Sequence, residues 1–125
     1  MTSNNTVLRA RCPGEWRAWL AEHGQSQPEV WLVIPHRGSG APGLSYEQAV
    51  EHALCFGWID GLHCKHDAGS SRLRFTPRRL RSMWSAINRT RAANMITCGL
   101  MTAAGQNAID HAKAIGTWQS PPAQY

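Results

Sequence analysis

No Asp or Glu occurs between residues 68 and 109, a stretch that carries Arg at 72, 74, 78, 79, 81, 89 and 91. The rest of the chain holds six basic and eight acidic residues, a net of −2, so the overall charge of +5 belongs to one segment. Such a local field attracts an anion, a nucleic acid or an acidic partner, or it serves an internal carboxylate. No apolar run reaches the ~18 residues needed to cross a bilayer, and no membrane partner is expected. Met1 to Asn5 are polar and show no signal-peptide pattern, which makes the cytoplasm the expected location. There is no Cys-x-x-Cys. The spacing of Cys12, Cys55, Cys64 and Cys98 reads neither as a zinc site nor as a redox pair, and free, mostly buried thiols are expected. The glycine-rich loop Arg37–Gly43 does not end in Gly-Lys-Ser/Thr, so it reads as a flexible turn and not as a phosphate loop. No Gly-x-Ser-x-Gly elbow is present, and no cofactor is expected.

A chain of 125 residues makes one domain, with six Trp, two Tyr and two Phe to anchor its core. Pro13, Glu15 and Gly24 bracket a first helix, on which Trp16, Trp19, Leu20 and His23 share a face. Val30 to Ile34 form a nearly continuous apolar run, predicted as a strand buried on both faces with Trp31 in the core. Ser45 with Gln48 makes a capping box, and Gly57 stops the helix it starts. Residues 58–66 and 72–76 read as a hairpin joined by Asp67–Ser71. Ser82 or Ser85 caps a third helix, closed by Gly99. Thr102 caps a fourth, whose stripe is Ala104, Ala108, Ile109, Ala112 and Ile115. The expected class is α+β: a small, mainly antiparallel sheet with strands near 6–10, 30–35, 58–66 and 72–76, packed with helices near 13–23, 45–56, 86–97 and 103–115. A single domain over 1–118 is expected, with 119–125 as a poorly ordered tail.

The chain is organised around Ala53-Leu-Cys-Phe-Gly-Trp-Ile-Asp-Gly61, where a helix ends and a strand presents Trp58 and Asp60 on one face. A partly buried Asp60 needs partners, and Arg74, Arg78 and Arg79 return alongside it. Two readings follow: an Asp–Arg pair that locks the hairpin to the helices, or a pocket in which Asp60 and an Arg meet a ligand. Trp58 and Trp84 are the expected apolar walls of that pocket, because Trp stacks on cations and planar rings. Asp60 with His63, or His36, could act as general acid or base. In His63-Cys64-Lys65-His66 only Cys64 and His66 share a strand face, too few for a closed metal site, and no metal is expected. The arginines interleaved with Phe75 and Trp84 could track phosphates, but no nucleic-acid motif accompanies them, and nucleic acid is the disfavoured partner.

Several blocks in order resemble the YdeI/OmpD-associated family: Val30-Trp-Leu-Val33, Tyr46-x-x-Ala-Val50, Ala53 to Asp60, Arg74-Phe-Thr-Pro-Arg-Arg79, Ser82-x-Trp84-Ser85-x-x-Asn88-x-x-Arg91, and Gly99-x-Met101-Thr-x-x-Gly105. The resemblance spans about residues 6–118 and implies a small cytoplasmic bacterial protein of α+β fold. Members are linked by name to bacteriocin protection, cationic-peptide resistance and porin association, so tolerance to an antimicrobial compound is the implied setting. His36-Arg37 stands where members usually carry a Lys pair, and the Arg- and Lys-rich C-terminal helical segment of many members does not follow here. The resulting expectation is a binding protein for a small molecule or peptide, with Trp58, Asp60, Arg74, Arg78 and Trp84 as ligand contacts. The alternatives are an enzyme using Asp60 and His63, and nucleic-acid binding through residues 72–91. Oligomeric state is not legible.

Overall fold

Hydroxyl side chains set where the helices begin. In the computed structural model, which describes residues 6–119, Ser45 accepts from the Gln48 amide and Gln48 returns the bond to the Ser45 amide, each at 3.1 Å. Ser85 caps the third helix through the Asn88 amide, and Thr102 the fourth through the Gly105 amide. Along the chain the elements are β1 (Val7–Leu8), α1 (Pro13–His23), β2 (Val30–Pro35), α2 (Tyr46–Leu54), β3 (Trp58–Asp67), β4 (Ser70–Pro77), α3 (Ala86–Thr97) and α4 (Ala103–Ile115). The α+β class therefore holds. The hairpin is longer than its apolar pattern suggested, with only Ala68 and Gly69 between β3 and β4. Of the expected tail, residues 120–125 lie outside the described residues. No helix among the described residues is long and apolar enough to cross a membrane.

The sheet runs β1-β2-β4-β3, parallel between β1 and β2 and antiparallel elsewhere. α1 carries the chain back between β1 and β2, as a parallel pair requires. Register divides the sheet into two unlike faces. Val30, Leu32 and Ile34 of β2 oppose Phe75, Leu73 and Ser71 of β4, and the first five of these join Trp58 beneath all four helices. Trp16 and Leu20 of α1, Ala49, Val50, Ala53 and Leu54 of α2, Ala92 of α3, and Ile109 with Ala112 of α4 join this core. The opposite face carries Trp31, Arg72 and Arg74, all half-buried, with the Arg72 guanidinium 4.9 Å from the Trp31 ring centroid. β2 is thus not sealed on both faces, and Trp31 is not a core residue. Its run is apolar because Val33 on the second face is also covered, at 5% exposed. On α4, Ile109 and Ala112 are buried but Ile115 is 44% exposed, since the helix ends at Gly116 beyond the sheet.

Two contacts fix the helices to one another. α4 abuts the C-terminal end of α2: the Thr102 hydroxyl and amide both donate to the Cys55 carbonyl. A Cβ on Gly105 would overlap that carbonyl and the Met101 sulfur. Arg17 of α1 donates through Nη1 to His52 Nδ1 (3.1 Å) and through Nη2 to the Leu100 carbonyl (2.7 Å), bridging α1, α2 and the turn before α4. Arginine only donates, so Nδ1 accepts and His52 is neutral with its proton on Nε2. Burial, then the Arg17 charge, lowers the His52 pKa from its ordinary value.

These contacts give two expectations. Gly105→Ala would improve helix propensity by up to ~1 kcal/mol on an open helix. Here overpacking, about 1–3 kcal/mol, outweighs that gain, so urea denaturation will show a net loss of stability. For His52 the unfolded side chain takes a proton near pH 6.5 and the folded one resists it. Stability is therefore full above about pH 6.5 and falls as pH drops through that value toward the lower folded pKa. His52→Gln, which keeps an acceptor but does not titrate, will flatten that slope in unfolding curves between pH 8 and pH 5.

Candidate functional site

Gly57 ends α2 with φ +79°, a left-handed turn that other residues rarely adopt, and so releases Trp58 into β3. At the far end of the hairpin Pro77 closes β4, and the Arg78 amide donates to the Gly57 carbonyl (2.9 Å). The 78–85 connector then swings across the end of the sheet toward α3. Its anchor is Trp84, whose amide donates to the Thr117 carbonyl (2.9 Å) and whose ring packs 4.9 Å from that of Trp118. Between this connector, Gly57–Trp58 and α4 lies a cavity of about 510 Å³. Ala104 and Ala108 form its α4 wall, because alanines leave the space unfilled, and Asn107 and His111 add polar groups. The connector contributes Arg78, Arg79, Leu80, Ser82 and Trp84.

The cavity is lined by two arginines and a histidine and by no Asp or Glu. Arg78 lies over the Trp84 ring, 4.0 Å from its centroid. Its Nη2 donates to the Ser82 carbonyl (3.3 Å), the Ser82 hydroxyl (3.3 Å) and the Met83 carbonyl (3.1 Å). Among the described residues no carboxylate stands within ion-pair distance of Arg78. Burial lowers its pKa, but a guanidinium remains charged at neutral pH. A second cavity, of about 440 Å³ beside Arg9, Pro35 and Ser70, includes none of the residues singled out from the sequence.

Of those residues, Trp58, Arg78 and Trp84 meet at the 510 Å³ cavity. The two Trp are 1% and 2% exposed, so they form a packed floor and not open stacking walls. Trp58 also spends its indole N–H on the Gly24 carbonyl, at 3.1 Å. Asp60, His63 and Arg74 are elsewhere. Asp60 opposes Phe75 in the β3–β4 register and so faces the helices. Arg74, one residue along, faces the other side of the sheet and binds Glu29 at 2.5 Å. Alternation therefore forbids the expected pairing of Asp60 with Arg74, and Arg78 is already beyond the strand. The partner of Asp60 is Tyr46, whose hydroxyl donates to it at 2.6 Å. A bulge between Asp60 and His63 returns His63 to the same face, with its ring stacked 5.8 Å from Tyr46 and its Nε2 2.7 Å from the Ser71 hydroxyl. His36 is exposed on its loop and touches neither group. The Arg block is dispersed: Arg89 donates to the Trp84 and Trp118 carbonyls, and Arg91 to Asn88. Among the described residues no three His, Cys, Asp or Glu side chains converge as a metal site would need.

Sequence reading missed Tyr46, His111, Asn107 and Trp118. Tyr46 was legible in principle, since a half-buried phenol seeks an acceptor and Asp60 is the acid next in sequence to its helix. Asn107 and His111 are four apart on α4, flanked by the small Ala104 and Ala108, a spacing that puts them on one face.

Burial, then the Asp60 hydrogen bond and charge, pushes the Tyr46 phenol up to about 12. Asp60→Asn removes the second and third causes and leaves the first. In a 295 nm titration the Tyr46 transition will move down from about 12 without reaching the ordinary value near 10. Exchanging a charged acceptor for a neutral one weakens the bond and will cost stability of about 1 kcal/mol, measured by denaturant unfolding near neutral pH.

No curated protein and no solved structure matches the chain. A family model described as "Domain of unknown function (DUF8412)" matches residues 8–108. That span takes in the sheet apart from Val7 of β1, α1 to α3, the 78–85 connector and the alanine wall of α4. The chain therefore belongs to the DUF8412 family.

Proposed function

We propose that the protein binds a small molecule or short peptide in the cavity between the 78–85 connector, Gly57–Trp58 and α4. The observation that carries this reading is the cavity itself: about 510 Å³, with Trp58, Arg78 and Trp84 brought to it from two separate chain segments. Ligand sites commonly span about 300–1,000 Å³, and this one falls in that range, with polar and apolar surface in equal share. The resemblance to the YdeI/OmpD-associated family supplies the biological setting, a cytoplasmic protein that protects against an antimicrobial compound by sequestering it. Sequestration asks only for affinity, and the one hydroxyl among the described lining residues, Ser82, accepts from Arg78 and makes no hydrogen bond to His111.

The Tyr46–Asp60–His63 cluster favours a second reading, acid–base catalysis on the same ligand. Its weakness is distance in the fold, because neither Asp60 nor His63 lines the cavity. Nucleic-acid binding through residues 72–91 is weakened further, since most of those arginines are engaged by neighbouring protein groups on different sides of the molecule.

The binding reading is tested with antimicrobial small molecules and short peptides of either charge as probes. Saturable quenching of Trp fluorescence at one equivalent, with intact ligand recovered by mass spectrometry, is the expected result. Ala108→Phe, which fills the cavity, will abolish it, and Asp60→Asn will leave it unchanged. Consumption of ligand beyond one equivalent, lost in Asp60→Asn, would replace sequestration by catalysis. Steeply salt-dependent affinity for generic DNA or RNA would instead favour the nucleic-acid reading.

A further inference from the structure

The positive charge in the cavity has no carboxylate among the described residues to answer it. Arg78 is half-buried, and its charge is the only one on the connector held against the core. Its Nη2 is committed to Ser82 and Met83, whereas Nε and Nη1 have no hydrogen-bond acceptor among the described residues. Taking a guanidinium partly out of water without a counter-ion is unfavourable, and the Trp84 ring offsets only part of that cost. With Trp84 packed on the guanidinium and Nη2 committed, Nε and Nη1 are the donors left, and each can give a single charge-assisted bond to an anionic oxygen. The other arginine at the cavity is the exposed Arg79, again with no acid among the lining residues. The α4 side of the cavity offers a small apolar strip, Ala104 and Ala108, with Leu80 at the rim, 72% exposed.

We propose that the ligand of this cavity is an organic carboxylate, its anionic group held by Arg78 and its flat apolar body lying along the alanine wall of α4. The inference rests on the cavity being a binding site, and it names the class of ligand that site takes. A monocarboxylate balances the one half-buried guanidinium. A cationic ligand meets unanswered like charge, and a neutral one can accept from Arg78 but leaves its charge unbalanced.

A matched series separates the possibilities: naphthalene-2-carboxylate, naphthalene-2-carboxamide and 2-(aminomethyl)naphthalene. Each is titrated calorimetrically, with the Trp58 and Trp84 indole N–H resonances reporting where it binds. The carboxylate is expected to bind about 10- to 100-fold more tightly than the amide, the range that one charge-assisted pair supplies. Arg78→Gln should bring carboxylate affinity down to that of the amide while leaving amide affinity unchanged. If that variant does not fold, the Arg78 Nε–H resonance of the unaltered protein serves: it should shift on titration with the carboxylate and much less with the amide. A preference undiminished in Arg78→Gln, or an Nε–H that does not respond to bound carboxylate, would assign the anion to Arg79 or His111 and overturn the role given to Arg78. Equal or tighter binding of the amide or the amine, with the same indole shifts, would overturn the carboxylate inference and leave the cavity as a binding site. No binding by any member, with Ala108→Phe making no difference, would overturn both.

Discussion

The close approach of α4 to the end of α2 is the contact on which the rest depends. A helix terminus leaves its last carbonyls without partners. Here the Cys55 carbonyl receives both donors of Thr102 and is covered by Gly105, which is tolerated because Gly105 has no Cβ. Two residues on, Gly57 turns left-handed with its own hydrogen against Ala104 and Ala108. The same few atoms thus cap α2, start α4 and aim β3 into the sheet. They also set the width of the cavity, since α4 is pulled tight at its first turn and stands off from the 78–85 connector further along. Small residues serve both ends of that arrangement, by contact at Gly105 and by unfilled space at Ala108.

Much of this frame could be read from residue order. The caps at Ser45, Ser85 and Thr102 and the stops at Gly57 and Gly116 are local signals, and the helices they bound lie where those signals put them. The faces of the sheet were harder. An apolar run such as Val30 to Ile34 does not say which neighbours cover its second face, and Trp31 turned out to meet Arg72 and solvent in place of a second layer. Asp60 and Arg74 show the limit more sharply. Their separation looked right for a hairpin pair, but pairing depends on register, and a shift of one residue sends a side chain to the other face. The bulge after Asp60 does this for His63, and nothing in Gly61-Leu62 announces it beyond the glycine.

The acid-free stretch from 68 to 109 has a different meaning in three dimensions than in one. Read along the chain it is a basic patch. In the fold it is a set of separate internal contacts: Arg74 on Glu29, Arg72 on Trp31, Arg78 on Trp84, and Arg89 on the carbonyls of Trp84 and Trp118. Guanidinium groups suit this use because they stack on rings and donate to several carbonyls at once while remaining charged. The last of these contacts also explains how a segment with little periodicity holds its place. Trp118 and Thr117, just past α4, receive the connector through Trp84, so the connector is pinned at both ends, by Gly57 at Arg78 and by Thr117 at Trp84.

That double pinning decides between the two polar sites. The Tyr46–Asp60 pair is internally complete: the phenol donates, the carboxylate accepts, and the proton is held more tightly than in an ordinary tyrosine. A group so satisfied gains little from a further ligand, which is the behaviour of a structural contact between α2 and β3. Arg78 is incomplete by the same standard, since its charge is half-buried and part of its donor set is unspent. Its position is nevertheless fixed by Trp84 beneath it and by the backbone on either side, so it would reach an incoming group without losing much side-chain freedom. Preorganisation of that kind is what converts a charge at a cavity into affinity, and it is found at a half-buried arginine that no carboxylate among the described residues pairs with.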